Sequence, residues 1–306
     1  MPSPPPTYHD PVLLHEAVNA LHLQADGIYA DVTFGGGGHA RAILAQLGNL
    51  GKLYAFDQDP DATQNIPNNE HRLTLIPHNF RHIQKHLRLA GVRQLDGIIA
   101  DLGVSWHQFN TDGRGFSIRF DHDLLDMRMN PNANTPNATD ILKTYSHDQL
   151  VHIFQEYGEL PSSKRLATAI VESRRNGGIQ TVGQLKKIAE PFAGSLPYKY
   201  LAQLFQALRM EVNEEVETLK ELLLQATELL KPQGRLVIIA YHSIEDRIVK
   251  NFIKKGNFDG KDQRDVFGKT NCPLIPINSK VIVPSPEEIA RNPKSRSAKM
   301  RIAEKI

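Results

Sequence analysis

Ile28-Tyr29-Ala30-Asp31-Val32-Thr33-Phe34-Gly35-Gly36-Gly37-Gly38-His39 is the stretch that decides the fold. A β-branched and apolar run ends in four consecutive glycines. Residues 39–47 then carry Ala40, Ile43, Leu44 and Leu47 at helical spacing. Glycines between a strand and a helix let the backbone turn tightly and approach a ligand with no Cβ in the way. The helix that follows offers unpaired N–H groups at its start. Working outward, residues 52–56 read as the next strand, closed by Asp57, and residues 73–76 as a third. Residues 83–90 read as a helix stopped by Gly91, and residues 96–102 as a fourth strand. This alternation predicts an α/β fold with a mainly parallel sheet covered on both faces.

Asp57 follows Gly37 by twenty residues and ends the second strand, where a carboxylate can accept both hydroxyls of a ribose. The nucleotide is less determined. Gly35-x-Gly37-x-x-Ala40 also satisfies the dinucleotide pattern, so NAD stays open on this loop alone. Two details favour S-adenosylmethionine. Asp31 lies inside the strand before the glycines, where Rossmann-like methyltransferases carry an acid, and the chain lacks a second full βαβαβ half.

After Leu102 the rhythm breaks. Residues 103–137 are rich in Gly, Asp, Asn and Pro, and helical patterns follow over 148–157, 162–176, 181–188, 198–212 and 214–230. Lys231-Pro232-Gln233-Gly234 reads as a helix stop. Residues 235–241 then resume the buried-strand pattern, with a helix over 243–255. Residues 1–107 and 213–306 therefore read as one nucleotide-binding α/β domain, and 108–212 as an all-helical insertion. No internal repeat is visible.

Of the 306 residues, 40% are apolar, enough for a core of that size, and the net charge of +2 excludes nothing by itself. Its distribution says more. Residues 250–306 hold 13 Lys/Arg against 6 Asp/Glu, a local excess of +7, which leaves the rest at −5. Such asymmetry points to a polyanionic partner or to a solvated tail. The single Cys272 excludes an internal disulfide and a cysteine-built zinc site. The Pro-rich residues 1–7 do not form a signal peptide, and no apolar run is long enough to span a bilayer. The chain reads as cytoplasmic, with no membrane partner.

Further residues carry a resemblance. Asp101-Leu102-Gly103-Val104-Ser105 is followed by Gln108, then Gly113-Arg114-Gly115-Phe116-Ser117, then Leu125-Asp126-Met127-Arg128-Met129. The chain starts with His9-Asp10-Pro11-Val12-Leu13-Leu14-His15-Glu16-Ala17-Val18. Later come Tyr241-His242-Ser243-Ile244-Glu245-Asp246-Arg247-Ile248-Val249-Lys250 and Asn292-Pro293-Lys294-Ser295-Arg296-Ser297-Ala298-Lys299-Met300-Arg301. Together these resemble the bacterial ribosomal small-subunit methyltransferase H family, which methylates N4 of a cytosine in 16S ribosomal RNA. The resemblance implies a Rossmann-like class I methyltransferase fold with a helical insertion for substrate recognition. It also implies S-adenosylmethionine contacts from Gly37, Gly38, His39, Asp57, Phe80, Asp101 and Gln108, and 16S RNA in the small subunit as partner. A homodimer stays open. Two positions depart from the family pattern. Ser105-Trp106-His107-Gln108 stands where the family commonly has Ser-Ser-Pro-Gln, and Gly36 stands where it often has Arg.

Single residues carry their own expectations. Asp101 ends a strand at the carboxyl edge of the sheet, where open α/β folds bind ligands. It could hold the cofactor's ammonium, accept a proton from a target amine, or merely close a loop. Tyr241, His242 and Ser243 end the neighbouring strand and are substrate-pocket candidates, although Ser243 and Asp246 also spell a capping box. His78, His82 and His86 recur every fourth residue, but no carboxylate or cysteine completes a metal set. Arg114 and Arg128 suit RNA phosphates or internal ion pairs equally. Lys294, Arg296 and Lys299, with Arg291, Arg301 and Lys305, are candidates for phosphate contact. The apolar Met300 and Ile302, alternating with Arg301, equally predict a last strand.

Overall fold

A computed structural model describes residues 11–262 and 272–306. The Pro-rich residues 1–7 and the His9-Asp10 start of the first motif lie outside the described residues. The chain divides into two compact units, one of Met1–Gly103 with Glu217–Ile306 and one of Val104–Val216. No helix is long and apolar enough to cross a membrane among the described residues.

The first unit is built on a seven-stranded sheet. Its strands are β1 (Ile28–Asp31), β2 (Lys52–Phe56), β3 (Leu73–Ile76), β4 (Leu95–Asp101), β5 (Leu230–Ala240), β6 (Leu274–Pro276) and β7 (Lys299–Lys305). The order is β3-β2-β1-β4-β5-β7-β6. The strands from β3 to β5 pair parallel, whereas β7 runs antiparallel to both β5 and β6. In β4, Ile98, Ile99 and Ala100 are buried in succession, as a parallel strand covered on both faces requires. The core joins Tyr29, Phe34, Ile43, Leu53, Ile99, Val237 and Met300. Strand order reverses between β1 and β4, which opens a crevice at the carboxyl ends of the strands. This is a Rossmann-like α/β arrangement, with one antiparallel strand beside β5.

One local reading holds in part and one needs correction. The helix ends at Leu229, as the stop signal predicts, but Lys231-Pro232-Gln233-Gly234 then lies inside β5. Leu230 pairs with Leu95, the register then shifts, and Arg235 pairs with Gly97. Gln233 takes φ +67° there. The Pro thus sits at a bulge, where a sheet tolerates the missing N–H. The second concerns Ser243. The helix Ser243–Lys255 has His242 as its cap residue, with no side-chain cap, so Ser243 is already inside the helix. Asp246 turns away to hold Arg301 in two bonds of 2.7 and 3.1 Å.

The second unit contains the helices Trp106–Asn110, Ala138–Thr144, His147–Glu156, Ser163–Ser173, Val182–Ala189 and Pro197–Val212. Ser105, Asn137, Ser146 and Thr181 each start a helix with a full capping box. Leu125, Met127, Ile141, Phe154, Leu166, Ile170, Leu204 and Leu208 form its core. The polar stretch after Leu102 is therefore anchored from within. Arg128 grips Asp126 through two bonds of 2.9 and 2.7 Å, and Arg114 Nη2 donates to Met129 O at 2.9 Å. Both arginines that suited RNA phosphates have internal partners.

Candidate active site

The glycine loop is stitched to its neighbours before the glycines begin. Val32 N–H donates to Ile99 O of β4, and Phe34 N–H to Phe56 O of β2, both at 2.9 Å. Gly35 and Gly37 then take φ of +48° and +71°, a region that costs other residues about 1 kcal/mol or more. Gly38 is required for space, since a Cβ there would lie 2.0 Å from Pro11 Cγ. Gly35 N–H donates to Asp57 Oδ2 at 2.7 Å, and Asp59 N–H to Asp57 Oδ1 at 2.8 Å. Asp57 therefore holds the loop as well as facing the crevice. Burial pushes its carboxyl up to about 6, against the pull of those N–H groups.

Asp31 and His39 lie beneath this loop. Asp31 Oδ1 accepts Thr33 N–H at 3.1 Å, while buried Oδ2 has no hydrogen-bond partner among the described residues. Burial pushes this carboxyl up to about 6. His39 is pushed down by burial, and its Nε2 donates to Val12 O at 3.2 Å, because a carbonyl can only accept.

Asp101 and Tyr241 meet across β4 and β5. Tyr241 OH donates to Asp101 Oδ1 at 2.8 Å, and Asp101 N–H to Thr33 Oγ1 at 2.7 Å. Burial pushes the Asp101 carboxyl up to about 7, the Tyr241 hydrogen bond pulls it down, and the charges of Glu245 and Glu288 push it up. Burial, reinforced by Asp101, holds the Tyr241 hydroxyl well above its ordinary range. Buried Glu245 accepts Tyr241 N–H at 3.1 Å. His242 Nδ1 stands 3.6 Å from Glu245 Oε2, beyond hydrogen-bond length.

Phe80 opens a 3₁₀ turn after β3, capped by Asn79, whose Nδ2 reaches Gln58 Oε1 at 3.3 Å. That bond ties the turn to the residue after Asp57. Gln108 belongs to the second unit, where it is buried and its Oε1 accepts Ser105 N–H at 3.0 Å. His78 and His86 stack at 4.3 Å, while His82 sits at the start of the helix Ile83–Leu89.

The basic tail divides. Lys294 and Arg296 are exposed on the 3₁₀ turn Pro293–Ser297. Lys299 lies on β7 with its Nζ 3.7 Å from Asp246, and Arg301 is bonded to the same carboxylate. Part of the positive count is thus neutralised by Asp246 on the helix Ser243–Lys255. Thr33, Glu245 and Glu288 were not singled out from the sequence, although Glu245 stands within a quoted motif. Asp31 was named there only as a pointer to the cofactor.

An edge carrying Asp31, Asp57 and Asp101 suits a ligand that brings a positive charge and hydroxyl donors, and it repels a pyrophosphate. The unpartnered Asp31 Oδ2 fits an ammonium group, and the glycine cradle admits close approach. By these criteria the residues fit S-adenosylmethionine and disfavour NAD.

The model of the MraW methylase family matches residues 6–306. Ribosomal RNA small subunit methyltransferase H of Bacteroides thetaiotaomicron is 54% identical over 300 residues, covering 98% of each chain. The protein of the same name from Flavobacterium johnsoniae is 51% identical over 300 residues, again covering 98% of each. The cofactor is S-adenosylmethionine and the activity is methyl transfer. With a full-length family match and relatives above half identity, the chain belongs to the MraW methylase family.

Proposed function

We propose that this protein transfers a methyl group from S-adenosylmethionine to the exocyclic N4 of a cytosine in 16S ribosomal RNA of the small subunit, in the cytoplasm. The observation that carries the reading is the Asp101–Tyr241 pair at the carboxyl edge of the sheet, beside a glycine cradle lined with acids. Bound S-adenosylmethionine supplies an electrophilic methyl group. Asp31, through its unpartnered Oδ2, would hold the ammonium group. Asp57 receives the ribose hydroxyls on the lone pairs that Gly35 and Asp59 leave free. Backbone groups of Gly37, Gly38 and His39 line the approach, and Phe80 packs against the adenine. Gln108 is a further cofactor contact on this reading.

The target nitrogen is a poor nucleophile, because its lone pair is delocalised into the ring. Catalysis then rests on alignment, which is worth several kcal/mol when the reacting atoms are held in line. Asp101 accepts one N–H of the amine and turns the nitrogen toward the methyl group, while Tyr241 fixes the carboxylate. The S–CH3 bond breaks as the new N–C bond forms, leaving a neutral thioether, and the amine then gives up a proton. With its carboxyl pushed up to about 7, Asp101 is suited to receive that proton. The base must leave its stack to reach this edge. Tyr241, His242 and Ser243 would line its pocket. The unit Val104–Val216, with Lys294, Arg296 and the partly paired Lys299, would recognise the surrounding RNA.

The test is incubation with methyl-labelled S-adenosylmethionine and small-subunit particles, followed by nucleoside mass analysis. N4-methylated cytidine is the expected product. Label on another base, or none, would overturn the reading.

A further inference from the structure

The loop 112–123 of the second unit brings together three ligand-type side chains that the proposed reaction does not use. Asp112 Oδ1 lies 2.9 Å from His122 Nε2, which lies 3.7 Å from Asp123 Oδ1. One donor atom from each residue falls within 4.8 Å of the other two. Donors bound at about 2.1 Å to one cation stand ~3.0–3.4 Å apart, so only small adjustments would be needed. Asp112 and His122 are exposed, whereas the Asp123 side chain has 0% exposure.

Asp123 is the informative member. Its backbone is fixed, with Asp123 N–H on Phe120 O and Val182 N–H on Asp123 O, both at 3.0 Å. Oδ2 accepts Gly115 N–H at 3.3 Å. Buried Oδ1 has no hydrogen-bond partner among the described residues and faces the other two ligand groups. The Asp112 carboxylate is within hydrogen-bond reach of Asp123 but has no proton to give when ionised. The imidazole pairs with Asp112 and stays too far from Oδ1 to satisfy it. Two acids and one imidazole thus converge on a point where a buried oxygen lacks a hydrogen-bond partner.

We propose that Asp112, His122 and Asp123 bind a divalent transition-metal cation, Zn²⁺ or Mn²⁺ by donor chemistry, which clips the two ends of this loop together. An imidazole donor argues against Mg²⁺, which favours six oxygens in a strict octahedron. The remaining coordination positions open to solvent, since two of the three ligands are exposed. A cation there closes the loop covalently in effect, removing alternative loop conformations.

The full chain, stripped of metal with chelator, is titrated with Zn²⁺ by calorimetry and with Mn²⁺ by electron paramagnetic resonance. One saturable equivalent of at least one cation and a raised Tm are expected. His122→Ala and Asp112→Asn, both at exposed positions, should each weaken that equivalent at least ~10-fold and abolish the Tm rise. Asp123→Asn probes the buried ligand, and the two exposed variants carry the test where it fails to fold. Absence of saturable uptake, or equal affinity in wild type and both exposed variants, would overturn the proposal. A proton shared between the two acids would show itself differently. Asp112→Asn would then raise the Tm of metal-free protein while wild type ignored both cations, and that result also overturns it.

Discussion

Asp101→Asn should flatten the pH dependence of stability and cost activity at the same time. The carboxyl is pushed up from 3.8 to about 7, mainly by burial. A group whose folded pKa is raised stabilises the fold fully below its unfolded value and loses that contribution as pH rises through the folded value. A rise of about three pH units corresponds to ~4 kcal/mol, of which about two thirds falls between pH 5 and pH 8. Asp101 keeps partial exposure, and solvent screening discounts the figure to ~1–2 kcal/mol. Asparagine cannot ionise, yet its oxygen can still accept the Tyr241 hydroxyl now at 2.8 Å. Urea unfolding of cofactor-free protein should therefore show wild type losing ~1–2 kcal/mol more than the variant between pH 5 and pH 8. Asp57, raised to about 6 by burial, contributes the same slope to both proteins, and Asp31 nearly so, since the Asp101 charge is only a minor cause of its rise. The variant should also lose roughly 100-fold or more in kcat, the usual scale for a group handling the proton. Parallel stability profiles for the two proteins would refute the buried-carboxylate argument, whatever the kinetics.

Tyr241→Phe removes the hydrogen bond that pulls the Asp101 carboxyl down, so that pKa should rise further. If the ionised form orients the amine, the acid limb of the kcat/KM profile should move to higher pH. An unmoved limb would separate Asp101 from the reaction. Asp57→Ala should weaken S-adenosylmethionine binding by ~1–3 kcal/mol in calorimetry, since it strands Gly35 N–H as well as the ribose. Unchanged affinity in the folded variant would remove Asp57 from the cofactor site. Replacing both Lys294 and Arg296 with Gln should lower the salt slope of RNA binding by about 1.4–1.8, at ~0.7–0.9 per phosphate, with Tm unchanged. Lys299→Gln should leave most of that slope intact, because its charge is shared with Asp246.

What the sequence made legible was local. The strand–glycine–helix run, the buried Ile98–Ala100 run of β4 and the longer helices of the second unit follow from spacing within a dozen residues, whereas the short helices Trp106–Asn110 and Ala138–Thr144 were missed. The strand order was not legible. Met300 and Ile302 announce a strand, but its insertion between β5 and β6 depends on pairings far along the chain. The same limit hid the Asp101–Tyr241 bond, whose partners are 140 residues apart. Each had been singled out alone. Where a local rule failed, a neighbour had taken the group on which the rule depends. Ser243 is no cap because the helix starts one residue earlier, and Glu245 already holds Tyr241 N–H. Arg114 and Arg128 are drawn inward by carbonyls and a carboxylate of their own loop.

The least legible part of the site is its outer wall, which both ends of the chain build. Leu13 takes φ +53°, and its N–H donates to Glu288 Oε1 at 2.8 Å, across 275 residues. Val12 O receives His39, and Pro11 lies against Gly38. Glu288 thus holds the segment that covers the start of the cofactor helix, and its charge also opposes ionisation of Asp101 and Tyr241. Asp31, Asp57, Asp101, Glu245 and Glu288 concentrate more negative charge at one edge than the fold alone would favour. Burial answers by raising three of their carboxyls toward neutrality. A ligand with a sulfonium and an ammonium group supplies the missing positive charge. On the proposed reading, the acids crowded at this edge are the groups that make the cradle selective for a cationic donor over a nucleotide with phosphates.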